Sequence, residues 1–107
     1  MSRSAGLTAR EVYQVLKDLA LGVRTVRLTG VPDSADAETW LIDVAIDDWQ
    51  LRLVCVDTRL QRCEHCRSPD ARYAGLADWQ RFGTDPVDFL SQWEQQQLTG
   101  LLTALRS

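Results

Sequence analysis

Residues 39–57 read TWLIDVAIDDWQLRLVCVD, and this stretch decides the fold because apolar and polar positions alternate along it twice. Alternation with a period of two is typical of strands that bury one face. Asp47 and Asp48, in the middle of the stretch, suit a turn. The stretch therefore predicts two antiparallel strands joined by a tight turn. The positions predicted to face the core are Trp40, Ile42, Val44 and Ile46 in the first strand and Trp49, Leu51, Leu53 and Cys55 in the second.

Further strands are predicted on both sides of this pair. Residues 24–29 alternate in the same way, and Gly30–Asp36 is predicted to be a loop that ends this strand. After the pair, a three-residue loop Thr58–Leu60 leads into a short fourth strand, which sets Cys55 opposite Cys63. Short connections between neighbouring strands indicate an antiparallel meander of three to four strands.

Helices are predicted before and after the strands. Thr8 and Glu11 have the spacing of a capping box at the start of the first helix, and Gly22 is placed to end it. Residues 74–82 are predicted to form a second helix closed by Gly83, and Asp85-Pro86 begins a third helix. The predicted fold class is α+β, an antiparallel β-meander of three to four strands with an N-terminal helix and two C-terminal helices packed on one face. We expect residues 1–107 to form a single domain, with residues 1–6 disordered.

The composition argues against several classes of protein. A formal net charge of -3 is unusual for a general nucleic-acid binder. No apolar run approaches the roughly 20 residues that span a bilayer, and the N-terminus lacks the apolar region of a secretory signal. The odd count of three cysteines argues against a disulfide framework. We therefore expect a cytoplasmic protein with no membrane partner.

The segment Cys63-Glu64-His65-Cys66 is the one cluster in the sequence with chemical potential beyond packing. Two thiolates at this spacing form half of a structural zinc site, and Cys55 can supply a third, but the fourth ligand is missing because His65 lies inside the knuckle. A redox site needs a thiol of lowered pKa, usually at a helix N-terminus, and no helix start is evident at Cys63. The candidate metal or redox residues are thus Cys55, Cys63, Cys66 and His65. The favoured interpretation is that Cys55 is a small core side chain and that Cys63 and Cys66 stiffen a loop, so no cofactor is expected and zinc is the one candidate.

The sequence gives little support for an enzyme. It holds one histidine and no Gly-x-Ser-x-Gly elbow, so a serine-based triad is not indicated. It also lacks a Walker loop, a dinucleotide-binding fingerprint and an EF-hand loop. Pairs of acids such as Asp47 and Asp48 have an adequate explanation as turn residues.

Aromatic and basic side chains are the candidate partner contacts. Trp79, with Phe82 three residues later, is predicted either to lie in the core or to anchor a protein partner, and the core interpretation is favoured. Trp93, on the apolar stripe of the last helix, is predicted to lie in the core as well. A weaker hypothesis is a nucleic-acid contact, because residues 51–81 hold six arginines and four acids. The arginines that would make this contact are Arg59, Arg62, Arg67 and Arg72.

The second face of the predicted sheet is partly apolar. Val54 and Val56 point away from the predicted core side of their strand, and Leu41 does so on the neighbouring strand. Helices on one face of a sheet leave the other face open, so a homodimer that buries these three side chains is a candidate assembly.

The run from Trp49 to Tyr73, together with DPVDFLSQWEQQQLTGLL further on, resembles a small family of uncharacterised proteins from pseudomonads. The resemblance covers most of the chain, from the first helix to the last. The family pattern has C-x-x-C followed by Ser-Pro-Asp-Gly-Arg, and Ala71 stands here in place of the glycine, which disfavours a turn with positive φ at that position. The family has no assigned activity, so the resemblance implies a bacterial cytosolic protein and supplies no catalytic residues.

These observations favour a small non-enzymatic accessory or regulatory protein that acts by binding another macromolecule, here an unidentified protein partner. The alternative function is a metal- or redox-responsive module that uses the CxxC cysteines. A general nucleic-acid binder is not favoured.

Overall fold

Six strands and two α-helices form the described part of the chain, which comprises residues 7–34, 36–57, 59–75, 78–79 and 84–106 of a computed structural model. The helices are α1 (Ala9–Ala20) and α2 (Gln92–Arg106), and a 3₁₀ helix (Pro86–Phe89) precedes α2. The predicted α+β class with helices near both ends is confirmed. The strands are β1 (Val26–Leu28), β2 (Asp33–Ser34), β3 (Thr39–Ile46), β4 (Trp49–Val56), β5 (Arg59–Arg67) and β6 (Tyr73–Gly75).

All strands belong to one antiparallel sheet. The four predicted strands, β1, β3, β4 and β5, are neighbours in that order. Two further strands join them, because β2 pairs with β3 on the same edge as β1, and β6 pairs with the far edge of β5. The prediction of three to four strands is therefore wrong, because β2 and β6 add to the sheet. The extra strand β2 lies inside the predicted loop Gly30–Asp36. It is short and lies at an edge beside Pro32, which has no N–H to give to a ladder.

The hairpin of β3 and β4 follows the alternating pattern. Eight residue pairs run without interruption from Thr39 opposite Val56 to Ile46 opposite Trp49. Asp47, the first residue of the two-residue turn, has a φ of 51°, which aspartate tolerates better than most residues. The predicted inward positions are buried except for Trp49, which is half-buried.

The two ends of α1 are fixed as the sequence predicts. The Thr8 Oγ1 accepts a hydrogen bond from the Glu11 N–H at 3.2 Å, and a Glu11 carboxylate oxygen accepts one from the Thr8 N–H at 3.1 Å. At the other end, Gly22 has a φ of 80° and its N–H donates to the Leu19 carbonyl, while the Val23 N–H donates to the Asp18 carbonyl. This pair of bonds is a Schellman motif, so the predicted glycine stop is confirmed.

A single hydrophobic cluster joins both helices to one face of the sheet. From the sheet it includes Ile42, Val44, Leu51 and Leu53, all at most 2% exposed. From the helices it includes Val12, Leu16, Leu98 and Leu102. Both helices thus bury their apolar stripes against the inner sides of β3, β4 and β5, which is the layered packing expected of an α+β domain.

The C-terminal third differs from the prediction. Ala74 and Gly75 belong to β6, so they do not begin a helix. Within the rest of the predicted helix 74–82, the described residues Asp78 and Trp79 are helical, and the others lie outside the described residues. The Asp85-Pro86 start is confirmed, but it opens the short 3₁₀ helix and not a long helix. The long helix α2 begins later, where the Ser91 N–H donates to the Glu94 carboxylate at 2.8 Å and the Glu94 N–H donates to the Ser91 Oγ at 3.1 Å.

The turn between β5 and β6 keeps a positive φ at Ala71. The Ala71 N–H donates to the Ser68 carbonyl at 3.0 Å, and the Ser68 N–H donates to the Arg72 carbonyl at 2.9 Å. The Ser68 hydroxyl binds the Asp70 carboxylate and accepts from the Arg72 N–H. These bonds hold Ala71 at a φ of 67°. The replacement of glycine by alanine disfavours a positive φ but does not prevent it here, because the surrounding bonds outweigh the local strain.

Candidate functional site

The spacing of Cys63 and Cys66 is explained by a bulge in β5. Cys66 lies opposite Leu51 and Cys63 lies opposite Leu53, so three residue steps in β5 match two steps in β4. The extra residue is Glu64. Without a bulge, residues three apart on a strand face opposite sides, and the bulge lets both thiols point into the core. Both cysteines thus lie in a strand, and the prediction that they stiffen a loop is wrong.

The third thiol does not lie opposite Cys63. Cys55 pairs with Leu60 instead, and a second irregularity of β5 lies between Leu60 and Arg62. The predicted register, with Cys55 opposite Cys63, is therefore wrong. Val56 pairs directly with Arg59, so the loop between β4 and β5 has two residues where the sequence analysis predicts three. The shorter loop is possible because Asp57 takes up a φ of 56°.

All three thiols are free, buried and held in the protonated form. Burial raises the pKa of Cys55 and that of Cys66 to about 12. Burial also raises the pKa of Cys63 well above its ordinary value, and the charges of Cys66, Asp85 and Glu64 add to this shift. The thiolate is the nucleophile and the metal ligand, so these environments oppose both kinds of chemistry at neutral pH.

Two side chains form hydrogen bonds with the backbone of Cys63. Its N–H donates to the Asp85 carboxylate, with the two oxygens at 3.2 and 3.3 Å. Its carbonyl accepts from the Trp79 Nε1 at 2.8 Å. Burial raises the pKa of Asp85, although its hydrogen bonds from the Val87 and Cys63 N–H groups lower it. These contacts occupy the outer edge of the bulge, where an unpaired backbone would otherwise attract another strand.

Trp79 is therefore a core residue, as the favoured interpretation has it. It is 3% exposed, so the hypothesis of an exposed anchor at this position does not hold. Phe82, the other half of that hypothesis, lies outside the described residues.

His65 lies on the opposite side of the sheet from the thiols. It pairs with Arg52, whose side chain points away from the core, and its ring stacks on exposed Tyr73 with centroids 5.8 Å apart. Within the ranges that the structure describes, no group of three or more His, Cys, Asp or Glu side chains is arranged to hold a metal ion. The geometry therefore brings Cys63 and Cys66 together and leaves His65 apart from them.

The four candidate arginines do not form one basic patch. Arg72 is engaged by Glu11 and Asp70, each at 2.9 Å. Arg59, Arg62 and Arg67 are exposed, but Arg59 and Arg67 lie at opposite ends of β5. Their partners on β4, Val56 and Gln50, are six residues apart. At about 3.3 Å per residue the two arginines are therefore roughly 20 Å apart along the strand. The four arginines therefore do not form the single positive surface that would attract a nucleic acid.

Charged side chains lie beside the apolar residues on the outer face of the sheet. Val54 is 1% exposed although it points away from the helices, so it needs no second copy to cover it. Arg52 lies beside it and pairs with Asp43 and Glu64, each at 3.1 Å. Leu41 and Val56 are half-buried. The premise of the predicted homodimer, an open apolar face here, is therefore not met.

An open groove of about 750 Å³ lies between α2 and the start of β5. Thr99 joins the two elements, because its hydroxyl accepts from the Leu60 N–H at 3.0 Å and donates to the Gln95 carbonyl at 2.8 Å. Amide side chains form much of the groove lining, which also includes the guanidinium group of Arg59. The lining residues are Arg59, Gln92, Gln95, Gln96, Thr99 and Gly100.

The exposed side of α2 carries Gly100, which lines the groove, and Trp93, which does not line it and is 52% exposed. The prediction that Trp93 lies in the core is wrong. At about 100° per residue, Trp93 stands about 180° around the helix from buried Leu102, so both cannot face the sheet. The helical angle of each apolar residue would have revealed this in the sequence. We call the groove and this exposed side the α2 surface; it comprises Arg59, Gln92, Trp93, Gln95, Gln96, Gln97, Thr99, Gly100, Leu101 and Ala104.

Comparison with known proteins assigns a family and no activity. Neither α1 nor α2 is long and apolar enough to cross a membrane. No curated protein matches the chain, and no solved structure matches it. Residues 6–104 match the family described as Domain of unknown function (DUF7693), which confirms the resemblance to a family without an assigned function. The chain belongs to this family.

Proposed function

We propose that this protein is a non-enzymatic accessory or regulatory protein that binds another macromolecule, a protein, through the α2 surface. The observation that carries the proposal is the half-exposed indole of Trp93 beside a groove of about 750 Å³. Tryptophan and arginine are enriched among the residues that carry binding energy, and both types occur here, as Trp93 and Arg59.

The charge pattern of α2 supports a binding role. From Gln92 to Leu105 the sequence has one charged residue, Glu94, and that side chain is buried in the capping box of the helix. The side of a surface helix that faces water usually carries charged residues. Depletion of charge together with an exposed aromatic ring is typical of the centre of an interface.

The environments of the candidate nucleophiles support the non-enzymatic part of the proposal. The three thiols are buried and their pKa values are raised, so little thiolate is present at neutral pH. Burial raises the pKa of Asp85, and its carboxylate accepts hydrogen bonds from two backbone N–H groups. We also propose a cytoplasmic location, because buried free thiols are typical of a reducing compartment.

Site-specific photo-crosslinking tests the proposal. A benzoylphenylalanine placed at Gln96, in the groove, should give discrete protein adducts in cells, and the same group at Val31, which is 88% exposed in the β1–β2 loop, should give none. A Trp93→Ala change in the Gln96 variant should abolish the adducts while the circular dichroism spectrum is unchanged. Equal labelling from both positions, or no adduct from position 96, would contradict the proposal.

A further inference from the structure

We propose that the partner of the α2 surface is a second copy of this chain, with the two α2 helices packed antiparallel around a two-fold axis. The inference rests on the proposed function, because it names the partner of the same surface. Four exposed residues of α2 carry it: Trp93, Gln97, Gly100 and Ala104.

The spacing of these residues is that of a helix–helix seam. Steps of four, three and four residues lead from Trp93 to Gln97, to Gly100 and to Ala104. This is the spacing of the a and d positions in coiled coils, which keeps side chains on one line facing a partner helix. All four positions are exposed in the single chain, so the seam is not used by the protein's own fold.

The seam is complementary to itself in only one orientation. The series 4-3-4 reads the same in both directions, so an antiparallel pair sets Trp93 opposite Ala104 of the partner subunit and Gln97 opposite Gly100 of the partner subunit. Every contact then joins a large side chain to a small one, as close packing requires. A parallel pair would set Trp93 against Trp93 of the partner subunit and leave a gap at Gly100.

Among the residues that the structure describes, no contact accounts for a glycine at position 100. A Cβ added there would meet no described atom outside its own helix backbone within 4 Å, so packing against the described part of the sheet does not require a glycine. The helix continues to Arg106, so the residue does not end it either. Glycine inside a helix destabilises it relative to alanine. Close approach of a second helix backbone explains why the position lacks a side chain.

Charge and size indicate a weak, reversible dimer. The seam carries no charge, so two copies of a chain with a net charge of -3 meet there without like-charge contacts. Its eleven residue steps span roughly 16 Å at about 1.5 Å per residue. A helix pair of this length falls below the roughly 800 Å² per partner of standard interfaces, so we expect dissociation in the micromolar range or weaker.

Analytical ultracentrifugation of the intact protein, from about 1 μM to about 1 mM, tests the dimer. The mass should rise from 12.1 kDa towards twice that value as the concentration increases. Trp93→Ala leaves small side chains on both sides of the contact, and Ala104→Trp sets two indoles against each other. Each single change should weaken the dimer at least about tenfold.

The double variant, Trp93→Ala with Ala104→Trp, makes the test specific. It restores a large-to-small contact with the partners exchanged, so the dissociation constant should return to within about threefold of the original value. Val31→Ala, far from the seam in the chain, should change nothing. Circular dichroism of each variant verifies that the fold is retained.

Two results would overturn this inference: a monomer at every concentration, or single variants that dimerise like the original chain. Failure of the double variant to recover would also overturn the antiparallel geometry. If the chain is monomeric while position 96 still crosslinks to another protein, this inference fails and the proposed function stands. If neither a dimer nor an adduct is found, both fail.

Discussion

The cysteine segment Cys63–Cys66 and the α2 surface treat their polar groups in opposite ways. Around the cysteine segment, the backbone N–H and carbonyl of Cys63 are paired with Asp85 and Trp79, and the thiols are buried. On the α2 surface, Gln95 and Thr99 also form internal hydrogen bonds. The remaining polar side chains there, those of Arg59, Gln92, Gln96, Gln97 and Trp93, are exposed. A region whose polar groups are satisfied internally stabilises the fold, whereas one that leaves them available is suited to binding.

The comparison predicts that the cysteine segment is chemically silent in the folded protein. Cys55, Cys63 and Cys66 should react with a thiol reagent at pH 8 at least about a thousandfold more slowly than in the unfolded chain, because reaction requires opening of the core. The pKa of about 12 for Cys55 and Cys66 slows the reaction further. The control is the same protein in denaturant, where all three thiols should be titrated rapidly.

Rapid reaction of one or two thiols in the native protein would remove the distinction between the two regions. It would also favour the alternative function, a metal- or redox-responsive module, which stays a prediction. Stoichiometric zinc in protein purified without chelator would do the same.

The next largest effect is expected for Asp85→Ala. The change removes the N-cap of the 3₁₀ helix and leaves the Cys63 N–H without an acceptor, so we expect a loss of about 2–3 kcal/mol in the free energy of unfolding. Asp48→Ala, at an exposed turn, is the control and should change stability by less than about 0.5 kcal/mol. Urea unfolding measures the stability change of both variants. Equal changes would mean that the hydrogen bond from Cys63 to Asp85 does not stabilise the fold.

Two tryptophan variants compare the two regions directly. Trp79→Phe removes the indole donor from the Cys63 carbonyl in a buried site, and it should cost about 1–3 kcal/mol. Trp93→Phe, measured at low concentration, should change stability by less than about 0.5 kcal/mol because the ring is half-exposed. The reverse order in chemical unfolding would show that the assignment of core and surface is interchanged.

The sequence predicts those parts of the fold in which a local pattern has one solution. The period of two in β3 and β4 gives their pairing, and the Thr8–Glu11 box with Gly22 gives both ends of α1. In these places each side chain is assigned by its immediate neighbours, and tertiary contacts agree with the local preference.

The geometry of the cysteine segment and the exposure of Trp93 are not determined by the local sequence, because more than one local structure fits the pattern in each place. A bulge cannot be read from alternation, because one inserted residue exchanges the faces of everything after it. The two-residue turn at Asp57 sets Cys55 opposite Leu60, and the irregularity between Leu60 and Arg62 then places Cys63 opposite Leu53. Trp93 shares helical spacing with the apolar residues of α2, yet the sheet accepts only the side that carries Leu98 and Leu102.

A smaller effect is expected at the turn that follows the cysteine segment. Ala71 holds a φ of 67°, which costs an L-residue roughly 1 kcal/mol, so Ala71→Gly should raise the free energy of unfolding by about that amount. Ala37→Gly is the matched control, since Ala37 is exposed and its φ is not positive. That control should be neutral or slightly destabilising, and a loss of stability in both variants would mean that the turn does not use this conformation.

The smallest expected effect is the pH dependence that Asp85, beside the cysteine segment, contributes to stability. Burial raises the pKa of Asp85 in the folded state, so its proton stabilises the fold below the pKa of the unfolded chain, and this contribution is lost as the pH rises through the folded pKa. Asp85→Asn keeps an oxygen acceptor for the Cys63 and Val87 N–H groups but does not titrate.

The difference in unfolding free energy between this variant and the original chain should therefore grow in favour of asparagine as the pH increases from about 3 to about 7. Taking the difference removes the opposite trend of Glu11, Asp36 and Asp70, whose lowered pKa values make both proteins less stable in acid. Urea unfolding at closely spaced pH values provides the measurement. A difference that is constant with pH would show that the Asp85 carboxylate is as well solvated in the folded protein as in the unfolded chain, and the sealed edge of β5 would then be open to water like the α2 surface.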